Sequence, residues 1–261
     1  MISVAIALAK REFTRFLRQP QRVVGTVAQP ILFWLFLGSG FSSSFRSPGM
    51  GGGSYLEYFY PGVMLMVMLF ASIFSSITII EDRDAGFLQS VLVAPVSRLA
   101  IVLGKVFGGT MIAMVQTLIF TVAAPFLGLH LGLGSLAFLL ASYVLTSMGF
   151  AAMGFFFAWG MRSSAGFHAI MMVFLMPLWM LSGALFPVEN APFLLHAVMT
   201  INPVAHALVL VRDPFYMEPA EMLADPKWLI ALAVTLLWTG ASLAGSMARV
   251  EKRDRGVPIK A

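Results

Sequence analysis

The stretch EDRDAGFLQSVLVAPVSRLAIVLGK, Glu81–Lys105, is a short polar interruption between two long apolar runs. Its first four residues are all charged, and Asp84 is expected to cap a helix start by accepting backbone N–H bonds. Pro95 is expected to end that helix, because proline has no N–H and restricts the residue before it. Between them, side chains recur at helical spacing with apolar and polar residues on opposite faces: Phe87, Leu88, Val91 and Leu92 against Gln89 and Ser90.

This spacing predicts an amphipathic helix of two to three turns that lies along the membrane surface. The apolar runs on either side tie it to a membrane span at each end. An ordinary loop that carries a surface helix fits the same spacing, and periodicity alone does not separate the two.

The composition indicates a protein that crosses the membrane several times. Apolar residues make up 59% of the 261 residues, charged residues 11%, and the mean hydropathy is +0.88. A soluble domain carries about 25% charged residues. The absence of cysteine excludes disulfides and thiolate metal sites. The basic pI near 9.8 comes from residues at the ends of apolar runs, so we predict membrane lipids rather than nucleic acid as their partners.

The apolar runs predict an all-α membrane fold in one transmembrane domain, 1–261. A span needs about 20 apolar residues to cross a bilayer core about 30 Å thick. On this basis an amphipathic helix at 1–22 precedes six spans, and 81–105 joins the second span to the third. The spans are expected at about 23–41, 60–80, 106–127, 136–160, 167–186 and 228–248.

The N-terminal helix has one apolar and one basic face. Its cations, Arg11, Arg15 and Arg18, are expected to face lipid headgroups, with Pro20 ending the helix. The opposite face collects Ile2, Ile6, Ala9, Phe13, Phe16 and Leu17.

Two further segments lie outside the spans. The Ser/Gly-rich segment SSSFRSPGMGGGS after the first span is expected to be flexible. Residues 187–227 hold two apolar runs, Phe193–Met199 and Val204–Val211, which are too short to cross the membrane. We predict short re-entrant or interfacial helices there, broken at Asn202-Pro203 and Asp213-Pro214.

The basic residues predict the orientation. Of the 17 Lys and Arg residues, all but Arg46, Arg212 and Lys227 fall on the side of the two termini. Because cytoplasmic loops are enriched in Lys and Arg, both termini and Glu81–Lys105 are expected to face the cytoplasm.

The sequence lacks the patterns of self-powered or catalytic membrane proteins. No Asp, Glu, Lys or Arg falls between the predicted span ends, whereas proton-driven carriers need an ionisable group there. Gly104-Lys105 lacks the spacing of a phosphate-binding loop, and neither HExxH nor GxSxG occurs. The histidines show no metal-ligand spacing. We therefore predict no catalytic, cofactor-binding or metal-binding residues in this chain.

A membrane domain without an energy-coupling site of its own suggests that a partner protein drives it. A partner that presses on the helix within Glu81–Lys105 would move both adjoining spans. At this point an ion-coupled carrier or channel and a non-transporting membrane assembly factor remain alternatives, because backbone carbonyls and hydroxyls can also hold sodium.

The segment DRDAGFLQSVLVAPVSRLAIVLGK resembles the cytoplasmic loop of type-2 ATP-binding-cassette (ABC) exporter permeases. That family has an acidic–basic–acidic triplet, a glycine, a leucine-rich turn, a Ser/Ala-Pro pair and a Gly-Lys. Pro61-Gly62 before the second span and INPVAHAL before the last extend the resemblance along the chain. The loop pattern falls on Asp82, Arg83, Asp84, Gly86, Leu88, Leu92, Ala94-Pro95 and Gly104-Lys105.

The resemblance implies a permease that pairs as a homodimer or with another permease, over two separate ATPase subunits that bind ATP and Mg. It implies a bacterial or archaeal cytoplasmic membrane and export of a hydrophobic or amphipathic small molecule, such as a drug or lipid. The residues expected to contact the ATPase are Glu81, Asp82, Arg83, Asp84, Gly86, Leu88, Gln89, Leu92 and Pro95. Those expected along the substrate path are Gln29, Phe33, Met68, Ser72, Ser75, Phe174 and Trp179.

Overall fold

A computed structural model describes residues 2–42, 54–129, 131–188 and 192–254, and these residues form helices without any strand. Most of the Ser/Gly-rich segment predicted to be flexible lies outside them. The helices in chain order are α1 (Ile2–Leu17), α2 (Pro20–Ser42), α3 (Tyr55–Ser75), α4 (Ile77–Asp84), α5 (Phe87–Val93), α6 (Arg98–Thr121), α7 (Leu133–Gly160), α8 (Ser164–Trp179), α9 (Phe193–Ile201), α10 (Pro203–Arg212), α11 (Pro219–Ala224) and α12 (Pro226–Asp254).

Six helical segments in the described part of the chain are long and apolar enough to cross a membrane. The first, Val23–Phe41, matches the predicted span. The second is α3 and α4 together, Tyr55–Asp84, so Pro61-Gly62 lies inside it rather than before it. The third begins at Arg98. Both ends of the stretch 81–105, predicted to join the second and third spans, are thus helical continuations of α4 and α6.

Helix α3 is the centre of the bundle. In its span, 83% of the most apolar window is buried, against 11% in the first span and 22% in the fifth and the sixth. Apolar side chains point in all directions from α3, which is the pattern of a helix enclosed by others. The spans with little burial, α2, α8 and α12, lie at the periphery of the single chain.

Helix α1 packs along α6 at two glycines. A Cβ on Gly104 would lie 2.7 Å from the Leu8 Cβ, and one on Gly108 would lie 2.7 Å from the Glu12 Cβ. These glycines let the two helix backbones approach closely, as small residues do in membrane helix pairs. Pro20 begins α2 instead of ending α1, a position that suits its fixed φ angle.

The segment after the fifth span forms the two short helices that the sequence predicts. Helices α9 and α10 meet at Asn202-Pro203 with a bend of 76°. The Asn202 side chain accepts from the Val204 N–H and so caps α10, while Pro203 occupies its first turn. The bend keeps this apolar pair from forming one straight span.

The close approach of α1 to α6 is testable at Gly104. We expect Gly104→Ala to lower the free energy of unfolding by about 1–3 kcal/mol, because its Cβ would overlap α1. Gly240→Ala is the matched control, since nothing lies within 4 Å of its Cβ and alanine favours helix. Thermal unfolding in detergent measures both. Equal stability of the two variants would contradict this packing.

Candidate functional site

A left-handed glycine separates α5 from the end of the second span. Gly86 has φ +75°, which lets the chain turn after α4 without strain. Asp84 is the last residue of α4 and does not cap α5, so that prediction is wrong; Gly86 occupies the cap position. Helix α5 ends at Val93, and Ala94 is extended because a proline follows it.

Helix α5 presents an inner and an outer face. Leu88 is buried in the core of the bundle, with 3% of its surface exposed. Gln89 and Ser90 are exposed, and Val93 at the tip is 88% exposed. Of the residues expected to contact an ATPase, Gln89 is thus available to a partner, while Leu88 holds α5 to its own chain.

Next to α5, six charged side chains from three helices form a network that we call the Asp82 cluster. Arg11 donates to both oxygens of Asp82 at 2.8 Å, and Arg15 donates to Asp82 at 3.0 Å and to Glu81 at 2.6 Å. Two-pronged contacts of this kind are among the strongest hydrogen bonds in proteins. Its members are Arg11, Glu12 and Arg15 of α1, Glu81 and Asp82 of α4, and Lys105 of α6.

Lys105 joins the third helix to the Asp82 cluster. Its ammonium donates to Glu12 at 2.7 Å and to Asp82. Lys105, Glu12 and Asp82 are each more than 90% buried, so each depends on the others for charge compensation. The cluster holds three cations and three carboxylates, and the hydrogen bond to Asp82 raises the pKa of Arg11 above its ordinary value.

These contacts show how the cations of α1 are paired. Arg11 and Arg15, predicted to face lipid headgroups, bind carboxylates of α4, whereas Arg18 is exposed. Asp82 and Lys105 lie outside the predicted span bounds but inside the helical segments Tyr55–Asp84 and Arg98–Thr121. The predicted span boundaries stopped before the ends of these two helices. Both helices continue past their charged residues because those residues pair with α1, and a long-range contact of this kind is not visible in the local sequence.

Three arginines anchor α5 and its surroundings. The Arg11 guanidinium lies 3.8 Å from the centre of the Phe87 ring, a cation–π contact. Arg98 donates to the Leu92 carbonyl at the end of α5. Arg83 donates to the Trp159 and Met161 carbonyls, which closes the last turn of α7. Arg11 and Arg98 thus attach α5 to α1 and α6, and Arg83 attaches α4 to α7.

A cavity of about 430 Å³ lies between α2, α3, α6 and α8. Three of the predicted path residues line it, namely Gln29, Phe33 and Ser75. Glu81 also reaches its wall and connects the cavity to the Asp82 cluster. The lining includes four phenylalanine and three methionine side chains, which suit apolar ligands of varied shape.

The remaining predicted path residues do not line this cavity. Met68 and Ser72 are fully buried within the core, and Phe174 is 58% exposed. Trp179 is buried, and its indole N–H donates to the Gly62 carbonyl at 2.8 Å. Within the described residues, these four therefore pack α3 and α8 or face away from the cavity.

Sequence reasoning missed the contribution of α6 to the cavity wall. Ile112 and Gln116 of α6 line the cavity, as do His168 and Met172 of α8. Gln116 is the single amide in the predicted third span, and a lone polar side chain in an apolar run was the signal available.

Comparison with known proteins agrees with this architecture. The family model described as "ABC-2 type transporter" matches residues 4–216. The chain belongs to this family. ABC-2 permeases are transport subunits that are not catalytic by themselves and pair with a cytoplasmic ATPase. The chain is thus a multi-pass permease subunit of an ABC transporter.

Several curated permeases are similar to this chain. A putative transport permease, ycf38 of Cyanophora paradoxa, is 28% identical over 81% of this chain and 73% of its own length. Nodulation protein J of Neorhizobium galegae is 26% identical over 82% of both chains. The daunorubicin resistance ABC transporter permease protein DrrB1 of Streptomyces coeruleorubidus is 25% identical over 81% of this chain and 75% of its own.

At the end of the molecule opposite the Asp82 cluster, the fifth span ends in a broken helix. A π-helical turn, Met180–Ala184, leaves carbonyls without helical partners, and Gly183 has φ +89°. Tyr58 and Arg212 both donate to the Gly183 carbonyl, at 2.7 and 3.0 Å. Asn202, in the INPVAHAL segment, donates to the Leu178 and Leu181 carbonyls. The break is therefore held jointly by α3 and α10.

The Asp82 cluster predicts an asymmetry between two neighbouring acids of the permease. Asp82→Asn removes a buried charge that three cations share, so we expect a loss of about 3–5 kcal/mol in unfolding free energy. Asp84→Asn changes an exposed residue of the same helix and should cost less than about 0.5 kcal/mol. Unfolding followed by circular dichroism measures both. A cost at Asp82 no greater than that at Asp84 would show that the cluster does not hold α1 to α4.

Proposed function

We propose that this permease is the membrane subunit of an exporter whose α5 seats in a cytoplasmic ATPase. The observation that carries the proposal is the attachment of α5, whose inner side binds α1, α4 and α6 while its tip is exposed. Force on α5 would reach three helices together. ATP and Mg would be bound by the partner, and this chain would supply no catalytic group.

We further propose that two permeases, identical or paired, assemble side by side. The peripheral spans α2 and α8 bury little of their surface within one chain, and lipid or a second copy would cover the rest. Residues of both helices line the cavity, so a substrate path at the dimer interface would meet it. The α9–α10 pair would close the path on the outer side.

The proposed substrate is a hydrophobic or amphipathic small molecule, such as a drug or a lipid. The aromatic and methionine lining of the cavity supports this class. The printed name of the DrrB1 relative refers to daunorubicin resistance, which is compatible with an apolar aromatic cargo. By the positive-inside rule, both termini and α5 would face the cytoplasm of a bacterial or archaeal cell.

The exposed tip of α5 gives the test. We expect Val93→Asp to weaken ATPase binding at least about tenfold, because it places a charge in the centre of an apolar contact. Leu133→Asp is the control, since Leu133 is also 88% exposed but lies at the start of α7, away from α5. Co-purification of the permease with its ATPase, followed by titration, measures both variants.

Unchanged binding of Val93→Asp would overturn the assignment of α5 to the ATPase. Equal loss in both variants would point to unfolding or general surface effects instead. Substrate flux through the permease alone, without any ATPase, would contradict the exporter proposal as a whole.

A further inference from the structure

Gln116 is a buried amide without a hydrogen-bond partner. It is 2% exposed, and neither its Oε1 nor its Nε2 has a partner among the described residues. Buried polar side chains are almost always hydrogen-bonded, because an unpaired group loses its interactions with water and gains nothing in return. The exception at Gln116 therefore calls for a ligand or a bound water.

Gln116 also lines the cavity between α2, α3, α6 and α8. Its burial comes from the single chain, so a second permease copy is not needed to enclose it. Thr146 offers a contrast: its hydroxyl is also buried and unpartnered, but it does not line this cavity. Of these two orphaned side chains, Gln116 is the one that belongs to the cavity wall.

The surroundings of Gln116 indicate the charge of that molecule. Among the described residues, Glu81 is the only acid on the cavity wall, and it is already paired with Arg15 at 2.6 Å. His168 stacks on Phe74 with ring centres 4.4 Å apart. Apart from Ser75 and Gln116 itself, the α6 and α3 residues on the cavity wall are apolar, Ile112 and Met66 among them. A charged group placed beside Gln116 would lose its hydration without gaining a counter-ion.

We propose that Gln116 is a specificity-determining residue that recognises a neutral group able to both donate and accept a hydrogen bond. A primary amide, a lactam or a urea meets this description, since an amide side chain offers one acceptor and two N–H donors. The rest of the ligand would be apolar and would contact the aromatic and methionine lining. This inference rests on the proposed transport function, because it refines the substrate class for the same cavity.

Selectivity between two probes of similar size tests the inference. Naphthalene-1-carboxamide carries the amide, and 1-ethylnaphthalene replaces it with an ethyl group. Binding is measured on the purified permease in nanodiscs, with protein-free nanodiscs used to subtract partition into lipid. We expect the wild-type chain to bind the carboxamide about tenfold more tightly than the hydrocarbon, the size of effect that one buried hydrogen-bonded group supplies.

Gln116→Leu should abolish this preference, since leucine fills the space without hydrogen bonding. Gln116→Met is a second variant with an unbranched side chain, and we expect the same result from it. Thr146→Val is the matched control, because it removes an orphaned polar group outside the cavity; it should keep the wild-type preference.

A preference that survives in both Gln116 variants would overturn the inference. So would equal binding of the two probes by the wild-type chain, because that result would mean that water alone satisfies the amide. The measurement uses the permease without an ATPase. If the variants lose selectivity but the permease binds no ATPase, the proposed function is refuted and the Gln116 site stands. If the variants keep their selectivity and the permease binds an ATPase, the Gln116 site is refuted and the proposed function stands.

Discussion

The structure depends on one buried carboxylate, that of Asp82. It lies at the end of the second span and accepts hydrogen bonds from Arg11, Arg15 and Lys105. A carboxylate this far from water is stable only when cations and donors surround it. Since those cations come from α1 and α6, neither helix can separate from α4 without exposing uncompensated charge to an apolar environment. Helix α5 is held within this arrangement.

The same constraint gives a physical reason for the Gly-Lys pair near the start of the third span. Gly104 lets α1 lie against α6, and that approach brings Glu12 within 2.7 Å of the Lys105 ammonium. The contact between Glu12 and Lys105 therefore depends on Gly104 for the close approach of the helices and on Lys105 for the charge. Glu81 extends the Asp82 cluster to the cavity wall. A change in the ion pairs of the cluster would therefore change the cavity wall at Glu81. Glu81 therefore belongs both to the Asp82 cluster and to the cavity wall.

Helices α3 and α4 connect the two ends of the molecule. One end carries Asp82, and the other carries Tyr58, which donates to the Gly183 carbonyl at the break in the fifth span. Because α3 is enclosed by other helices in a close-packed core, we expect a displacement of α4 to be transmitted along α3. This continuity is the physical basis for a proposed link between α5 and the segment α9–α10 at the other end of the molecule.

The sequence predicted what depends on local periodicity and on length. It located six spans, the helix that Pro95 ends, and the break at Asn202-Pro203. Gln29, Phe33 and Ser75, expected from the family resemblance along a substrate path, line the cavity, and their part in transport stays a prediction. It failed where distant residues meet: Arg11 pairs with Asp82 across 71 positions, and nothing in either helix alone reveals that contact. Gln116 was missed for the related reason that an amide's lack of partners is visible only after packing.

Coupled movement of α1 and α5 is the central claim, and distances between spin labels test it most directly. The chain has no cysteine, so labels can be attached at Lys10→Cys on α1 and Gln89→Cys on α5, both exposed positions. Excess unlabelled permease in the reconstituted ATPase complex isolates the distance within one chain. On ATP addition, we expect the Lys10–Gln89 distance to stay constant. In a separate sample, in which every permease carries the Gln89→Cys label alone, we expect the distance between the labels of two paired permeases to change. A Lys10–Gln89 distance that shifts with nucleotide would contradict the account, because α5 would then move independently of the Asp82 cluster.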